Sequence, residues 1–293
     1  MEGTIIRTRS NIGSDSVLEL DPRWEVEIRP KRKTLQYFIT SRCNNRCGDC
    51  FFRDYLGNSE VDIEEYKSFV LEKRLEDNIE KVNLLGGEPT LHSRIDDILR
   101  FNDSIGLKTN IYSNGFHLDR IPDDLDSVVV RLSCLSYDGY KPVRSIVTER
   151  PVTLVYPISK ENLSDLGDVV AYCENLNLRQ FVFSTIKKLE TKDDFFRTKE
   201  NCLSSDEYIS VLNDFFRGYS GTIDEFHINS RGIFDLHMDD RECSFVNKIY
   251  DGRECNCPFD IDIGEVSYSK CEYGVPCYKN DACLLQKIVV KRR

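Results

Sequence analysis

A chain of 293 residues with 40% hydrophobic and 31% charged residues can bury a sizeable core, which excludes a largely disordered polymer. The formal charge of −10 excludes a broad attraction for phosphate backbones, so no nucleic-acid partner is expected; the local basic runs Arg29, Lys31, Arg32, Lys33 and Lys291, Arg292, Arg293 read as solvated flanks. No window approaches the ~18 apolar residues of a membrane span, and Met1 to Ser10 lacks the apolar stretch of a signal peptide, so a cytoplasmic protein without a membrane partner is expected.

After an N-terminal extension over residues 1–33, short apolar runs predict strands at Leu35 to Thr40, Lys81 to Leu85, Leu107 to Tyr112, Val128 to Ser133, Val152 to Pro157 and Phe181 to Thr185. Helical periodicity runs between them through Ile63 to Leu75, Ser93 to Asn102 and Asn162 to Asn175, and then through Ser205 to Phe216. Asp62 and Ser205 are the expected helix starts. Strand, crossover and strand in repetition favour parallel pairing, hence an α/β fold: a partial (β/α)6 TIM-like barrel over residues 34–221, with a doubly wound sheet as its rival. No Rossmann glycine fingerprint and no phosphate loop follows any of these strands, which weakens the rival. Beyond residue 221, strand-like pieces at Ile223 to Ile228 and Phe234 to His237 lead into a cysteine-rich tail. A hairpin is expected there between Phe259 and Tyr268, so residues 222–293 read as a small C-terminal module.

Twelve cysteines in a cytoplasmic chain point to metal more than to disulfides. Three of them, Cys43, Cys47 and Cys50, share one short loop directly after the first barrel strand. Such a loop can wrap three corners of a cubane iron–sulfur cluster and leave the fourth iron open to a ligand, which separates a reactive centre from a closed structural one. The cysteine loop, Gly86-Gly87-Glu88, Ser113-Asn114 and Ser133-Cys134 all fall at the C-terminal ends of successive predicted strands, the face on which parallel barrels assemble active sites. Two adjacent glycines there leave the backbone bare for a charged ligand group, and Glu88 adds a carboxylate suited to an ammonium.

The spacing Cys-x3-Cys-x2-Cys resembles the signature loop of the radical S-adenosylmethionine (radical SAM) superfamily. Leu84-Leu85-Gly86-Gly87-Glu88-Pro89-Thr90 resembles that family's Gly-Gly-Glu-Pro segment, and Ile111-Tyr112-Ser113-Asn114-Gly115 resembles its Thr-Asn-Gly-like segment. The resemblance covers Thr34 to Thr185 and implies a 4Fe-4S cluster on Cys43, Cys47 and Cys50 whose free iron chelates S-adenosyl-L-methionine. By the same resemblance Gly86, Gly87 and Glu88 contact the amino group, and Ser113, Asn114 or Ser133 reach the ribose or carboxylate. Reductive cleavage, with the electron from a donor such as a flavodoxin or ferredoxin, then gives a 5′-deoxyadenosyl radical that abstracts hydrogen from substrate. The usual aromatic residue before the third cysteine is Asp49 here, with Phe51 following, so the adenine contact falls to Asp49 or Phe51.

The later cysteines resemble the auxiliary-cluster modules called SPASM or Twitch. Cys255, Cys257, Cys271, Cys277 and Cys283 are the candidate ligands of an auxiliary iron–sulfur cluster, with tetrahedral zinc the next choice. By analogy the substrate is a peptide that is oxidised, cross-linked or epimerised, the alternative being a small molecule. Cys134 and Cys173 read as small core residues, with a hydrogen-donor role the alternative for Cys134, and His92, His117, His227 and His237 show no ligand spacing. From another class, the rival is a non-catalytic, zinc-stapled binding protein.

Overall fold

The computed structural model describes residues 4–7, 17–30, 34–45, 47, 50, 52, 55–133, 152–178, 180–185, 203–229, 245–249, 251–252, 254–255 and 286–293. In chain order the elements are β1 (Thr4–Arg7), β2 (Val17–Leu20), β3 (Trp24–Pro30), β4 (Thr34–Thr40), α1 (Ile63–Glu76), β5 (Lys81–Gly86), α2 (Ile95–Ser104), β6 (Lys108–Ser113) and β7 (Val128–Ser133). There follow β8 (Val152–Ile158), α3 (Leu166–Asn175), β9 (Gln180–Thr185), α4 (Ser205–Gly218), β10 (Glu225–Asn229), β11 (Phe245–Ile249), β12 (Glu254–Cys255) and β13 (Gln286–Arg292). All six expected barrel strands form, and the α/β class with a mostly parallel sheet stands.

Two compact units emerge. One comprises Arg32–Thr153 and Ser244–Ser267. In it β4, β5, β6 and β7 pair in parallel in sequence order, and β11 joins β4 in parallel on the other side, with β12 antiparallel beyond it. Tyr37 of β4 meets Tyr66 and Phe69 of α1 at ring-centroid distances of 5.0 and 5.6 Å. Buried Tyr66 and Asn102 hydrogen-bond each other, and Asn102 donates to Thr109 Oγ1 at 3.1 Å, tying α1, α2 and β6 together. Asp62 caps α1 as the sequence suggested, accepting from the Glu64 and Glu65 amides.

The opposite face of β4 to β7 is partly polar. Gln36, Asn83 and Asn110 fall in one register row, with Asn110 Nδ2 donating to Asn83 Oδ1 at 2.8 Å; Tyr112 and Arg131 are paired one row nearer the C-terminal ends. Parallel strands covered by apolar layers on both faces read as continuous hydrophobic runs, so this row marks a face with chemistry on it.

The other unit comprises Met1–Lys31, Leu154–Cys243 and Tyr268–Arg293. Here β8, β9 and β10 are parallel, while β13 runs antiparallel between β10 and β3. One face carries Trp24, Phe181, Phe183 and Phe226, closed by Phe215, Phe216 and Tyr219 at the end of α4. Trp24 donates through Nε1 to the Phe216 carbonyl at 3.2 Å.

The cap of α4 is Ser204 rather than the expected Ser205. Its hydroxyl accepts from the Glu207 amide while Glu207 reaches back to the Ser204 amide, a geometry that needs three residues of spacing. The units also cut across the divisions read at residues 33 and 221, because β10, β11 and β13 satisfy their backbone groups on strands from earlier in the chain. The terminal basic run is exposed at Arg292 and Arg293, as expected, but it is not a flank outside the fold. Lys291 and Arg292 belong to β13, where Ile288, Val289 and Val290 are buried, Lys291 pairs with Glu27 at 2.7 Å, and the Arg292 guanidinium lies 5.7 Å from the Trp24 ring. Arg29 lies in β3. The tail Phe234 to His237 and the hairpin Phe259 to Tyr268 lie outside the described residues.

Candidate active site

Cys43 lies three residues beyond the end of β4, and the loop it begins is anchored on two sides. On one, the segment from Gly57 to Val61 runs back along the strand end: the Gly57 amide donates to Ser41 O, the Ser41 amide to Ser59 O, and the Val61 amide to Ile39 O, at 2.8 to 2.9 Å. On the other, the Gly87 amide donates to Thr40 O at 2.8 Å and the Glu88 amide to Arg42 O at 2.7 Å. The glycine pair is required by that second contact. A Cβ on Gly86 would stand 2.2 Å from Thr40 O and one on Gly87 2.2 Å from Arg42 O, while Gly86 also adopts φ +139°. The close approach that the two glycines permit is thus to the strand end preceding the cysteines.

Glu88 is 1% exposed, and its carboxylate collects four donors. Oε1 accepts from the Thr90 amide at 3.1 Å, Thr90 Oγ1 at 2.6 Å and Ser113 Oγ at 2.8 Å; Oε2 accepts from the Asn114 amide at 2.7 Å. A buried carboxylate demands such donors, and here they stitch the turn at Pro89–Leu91 to the tip of β6. Asn114 carries the stitch onward, its Nδ2 donating to Asn44 Oδ1 at 2.7 Å.

Cys43, Cys47 and Cys50 are in no disulfide among the described residues and are of intermediate burial. Burial pushes the Cys43 thiol above its ordinary pKa, the Asn45 amide pulls it down, and the Glu88 charge pushes it up again. Asn45 N–H reaches Cys43 Sγ at 3.4 Å, and the Cys50 amide reaches Cys47 O at 3.4 Å. Cys50 packs against Phe38, Phe52 and Tyr55, a stack with centroid spacings of 5.2 and 5.0 Å. Three cysteine thiols on one loop, with an apolar cushion at one of them, are a donor set suited to an iron–sulfur cluster. Among the described residues, no group of three or more His, Cys, Asp or Glu side chains is gathered as for a single metal ion.

The structure brings together the expected Cys43, Gly86, Gly87, Glu88, Ser113 and Asn114 at adjacent strand ends. Ser133 ends β7, with its side chain outside the description. Asp49, Phe51, Cys134, Cys257, Cys271, Cys277 and Cys283 lie outside the described residues, and of Cys255 only the backbone, in β12, is described. His92 is buried beside the site as a structural group, Nε2 on Val61 O at 3.0 Å and Nδ1 accepting from the Arg94 amide at 3.0 Å. Cys173 is fully buried.

Sequence reasoning passed over Asn44, Thr90, Asn83, Asn110, Tyr112 and Arg131. The signal for the last four was the alternation Val82-Asn83-Leu84, Thr109-Asn110-Ile111-Tyr112 and Val130-Arg131-Leu132, which sends Asn83, Asn110, Tyr112 and Arg131 to one face. Burial raises the Tyr112 pKa, and the nearby Arg131 charge opposes that rise.

A parallel α/β sheet with three cysteine thiols and a buried, glycine-framed carboxylate at its strand ends defines an α/β fold bearing a cysteine site. Residues 37–151 match the family model of the Radical SAM superfamily, and over that stretch the chain is similar to a Radical SAM domain. The putative glycyl-radical enzyme activating enzyme of Methanocaldococcus jannaschii is 26% identical over 105 residues, covering 36% of this chain and 41% of that protein. The GTP 3′,8-cyclase of Sulfurimonas denitrificans is 22% identical over 262 residues, covering 76% of this chain and 79% of its own length. The structure of Streptococcus suis SuiB bound to S-adenosylmethionine superposes with a TM-score of 0.60 at 15% identity, over 86% of this chain and 66% of SuiB, and shows a shared fold. The chain therefore spans less than two thirds of the archaeal relative and of SuiB. Among the described residues, no helix is long and apolar enough to cross a membrane.

Proposed function

We propose that this chain cleaves S-adenosyl-L-methionine reductively at a 4Fe-4S cluster held by Cys43, Cys47 and Cys50, and that it modifies a peptide. The observation that carries the reading is the loop of three cysteine thiols, anchored at its base by the Gly87 and Glu88 amides. A cluster held by these cysteines would supply the electron that converts S-adenosylmethionine to methionine and a 5′-deoxyadenosyl radical for hydrogen abstraction. The chain's own part is placement and exclusion of water. Among the described residues Glu88 Oε2 has one donor where Oε1 has three, and in this reading Oε2 takes the cosubstrate ammonium. Ser113 and Asn114 serve in this reading through the frame they build on Glu88, which leaves Ser133 as the hydroxyl for the ribose or carboxylate, with Asp49 or Phe51 at the adenine. The polar row of Asn83, Asn110, Tyr112 and Arg131 faces substrate.

SuiB has been solved with its precursor peptide SuiA, and the shared fold supports a peptide substrate here. A small molecule is the second reading, favoured by the length over which the GTP 3′,8-cyclase aligns. Cys255, Cys257, Cys271, Cys277 and Cys283 are proposed to hold an auxiliary cluster, and a flavodoxin or ferredoxin to deliver the electron. Anaerobic reconstitution with iron and sulfide tests the whole reading: the chain should bind both and, with reductant, form 5′-deoxyadenosine. Uptake of zinc without iron or sulfide would overturn it in favour of a zinc-stapled binding protein.

A further inference from the structure

Asn44 follows Cys43 directly, and its side chain is exposed yet engaged: Oδ1 accepts from Asn114 Nδ2 at 2.7 Å across 70 residues of sequence. The far end of this amide bridge is held firmly. Asn114 N–H donates to the buried Glu88 carboxylate at 2.7 Å, and Asn114 Oδ1 accepts from the Phe116 amide at 3.1 Å. The near end is the residue whose carbonyl carbon begins the next peptide plane, and the N–H of that plane belongs to Asn45. That N–H points at Cys43 Sγ, 3.4 Å away. A hydrogen bond to a cluster-ligating sulfur favours the reduced cluster, which carries more negative charge on its sulfurs, and so raises the reduction potential.

We infer that Asn44 and Asn114 are positioning residues that hold the Asn45 N–H on the Cys43 sulfur and thereby ease one-electron reduction of the cluster. The inference rests on the cluster assignment above. Neither side chain touches the reacting atoms in this role; they act through the Asn44–Asn45 peptide. The step itself is the transfer of one electron from an external reductant to the cluster, with no proton taken up. Because Asn44 is exposed, its truncation opens no cavity in the core.

The test uses the reconstituted holoenzyme and the metal-free chain in parallel. In redox titrations with dithionite read by electron paramagnetic resonance, Asn44→Ala and Asn114→Ala should each lower the potential. The expected shift is about tenfold in the one-electron equilibrium, ~59 mV. The double variant should fall no further than the larger single shift, since both changes break one bridge. In the metal-free chain, hydrogen exchange at the Asn45 amide should quicken in both Ala variants. It should stay slow in Asn44→Asp, which keeps the acceptor for Asn114 Nδ2. Unmoved potentials around an intact wild-type cluster, additive shifts in the double variant, or an Asn45 amide as fast in wild type as in Asn44→Ala would each overturn the inference alone. A wild-type chain that takes up no iron or sulfide overturns the proposed function along with it.

Discussion

Replacing Gly87 by Ala puts one methyl group where the strand end before the cysteines already stands. The added Cβ would lie 2.2 Å from Arg42 O, 2.6 Å from the Arg42 carbonyl carbon and 3.0 Å from Cys43 Cβ. None of these is the far end of a flexible side chain, so relief requires the two backbone segments to part by about 1 Å. The bond from the Glu88 amide to Arg42 O, 2.7 Å in the native chain, then lengthens past the limit of a hydrogen bond. Overpacking costs about 1–3 kcal/mol and the lost bond about 1 kcal/mol, so the variant should lose roughly 2–4 kcal/mol. For a unit of this size each kcal/mol moves the melting temperature by about 2–4 °C, which calorimetry on the metal-free chain resolves easily. Iron bound per chain should fall as well, since the displaced segment leads directly into Cys43. Gly106→Ala is the control: that residue has φ +71° but no neighbouring heavy atom within 4 Å, so it should cost only the left-handed strain, about 1–2 kcal/mol. A Gly87→Ala chain that melts with wild type and fills with iron normally would refute the claim that backbone contact explains this glycine.

Cys43→Ala, Cys47→Ala and Cys50→Ala together should abolish 5′-deoxyadenosine formation, and turnover retained in the triple variant would reject the ligand assignment. Replacing Cys255, Cys257, Cys271, Cys277 and Cys283 should lower iron by about one cluster's worth, measured by iron and sulfide assay after reconstitution. Burial lowers the pKa of His92 below its ordinary 6.5, so the folded chain holds it neutral while the unfolded chain takes up a proton as pH falls through that value. Urea midpoints should therefore decline as pH drops below about 6.5. The decline should flatten in His92→Gln, and equal pH slopes for the two chains would contradict it. Tyr66→Phe removes the hydroxyl bonded to buried Asn102 and should cost about 1–3 kcal/mol by urea denaturation.

The parallel strands were readable because each is a short apolar run between helical periods, and β7 falls on Val128 to Ser133 as the pattern indicated. The cysteine loop drew attention through its spacing taken together with Gly86 to Pro89, and Cys43 does follow the end of β4. What sequence could not supply was the partner of each backbone group. Gly86 and Gly87 advertise a bare backbone, yet only coordinates reveal that Thr40 and Arg42 occupy that space. Glu88 reads as a charge awaiting an ammonium, whereas the fold surrounds it with Thr90, Ser113 and Asn114 donors from two segments. Lys291 and Arg292 look like a tail because their charges outweigh three buried neighbours in any local count, and their pairing with β3 is a contact across 264 residues.

That last pairing bears on how the chain is made. β3 leaves the ribosome early, but β13, which must lie between it and β10, is translated more than 250 residues later. The consecutive strands β4 to β7 can dock as they emerge, so the thiol loop is shaped while the other unit still waits for its inner strand. A nascent chain stalled before residue 286 would carry the strands that frame the cysteine loop while the aromatic core of the other unit stayed unsealed, a form that chaperones and proteases should meet first.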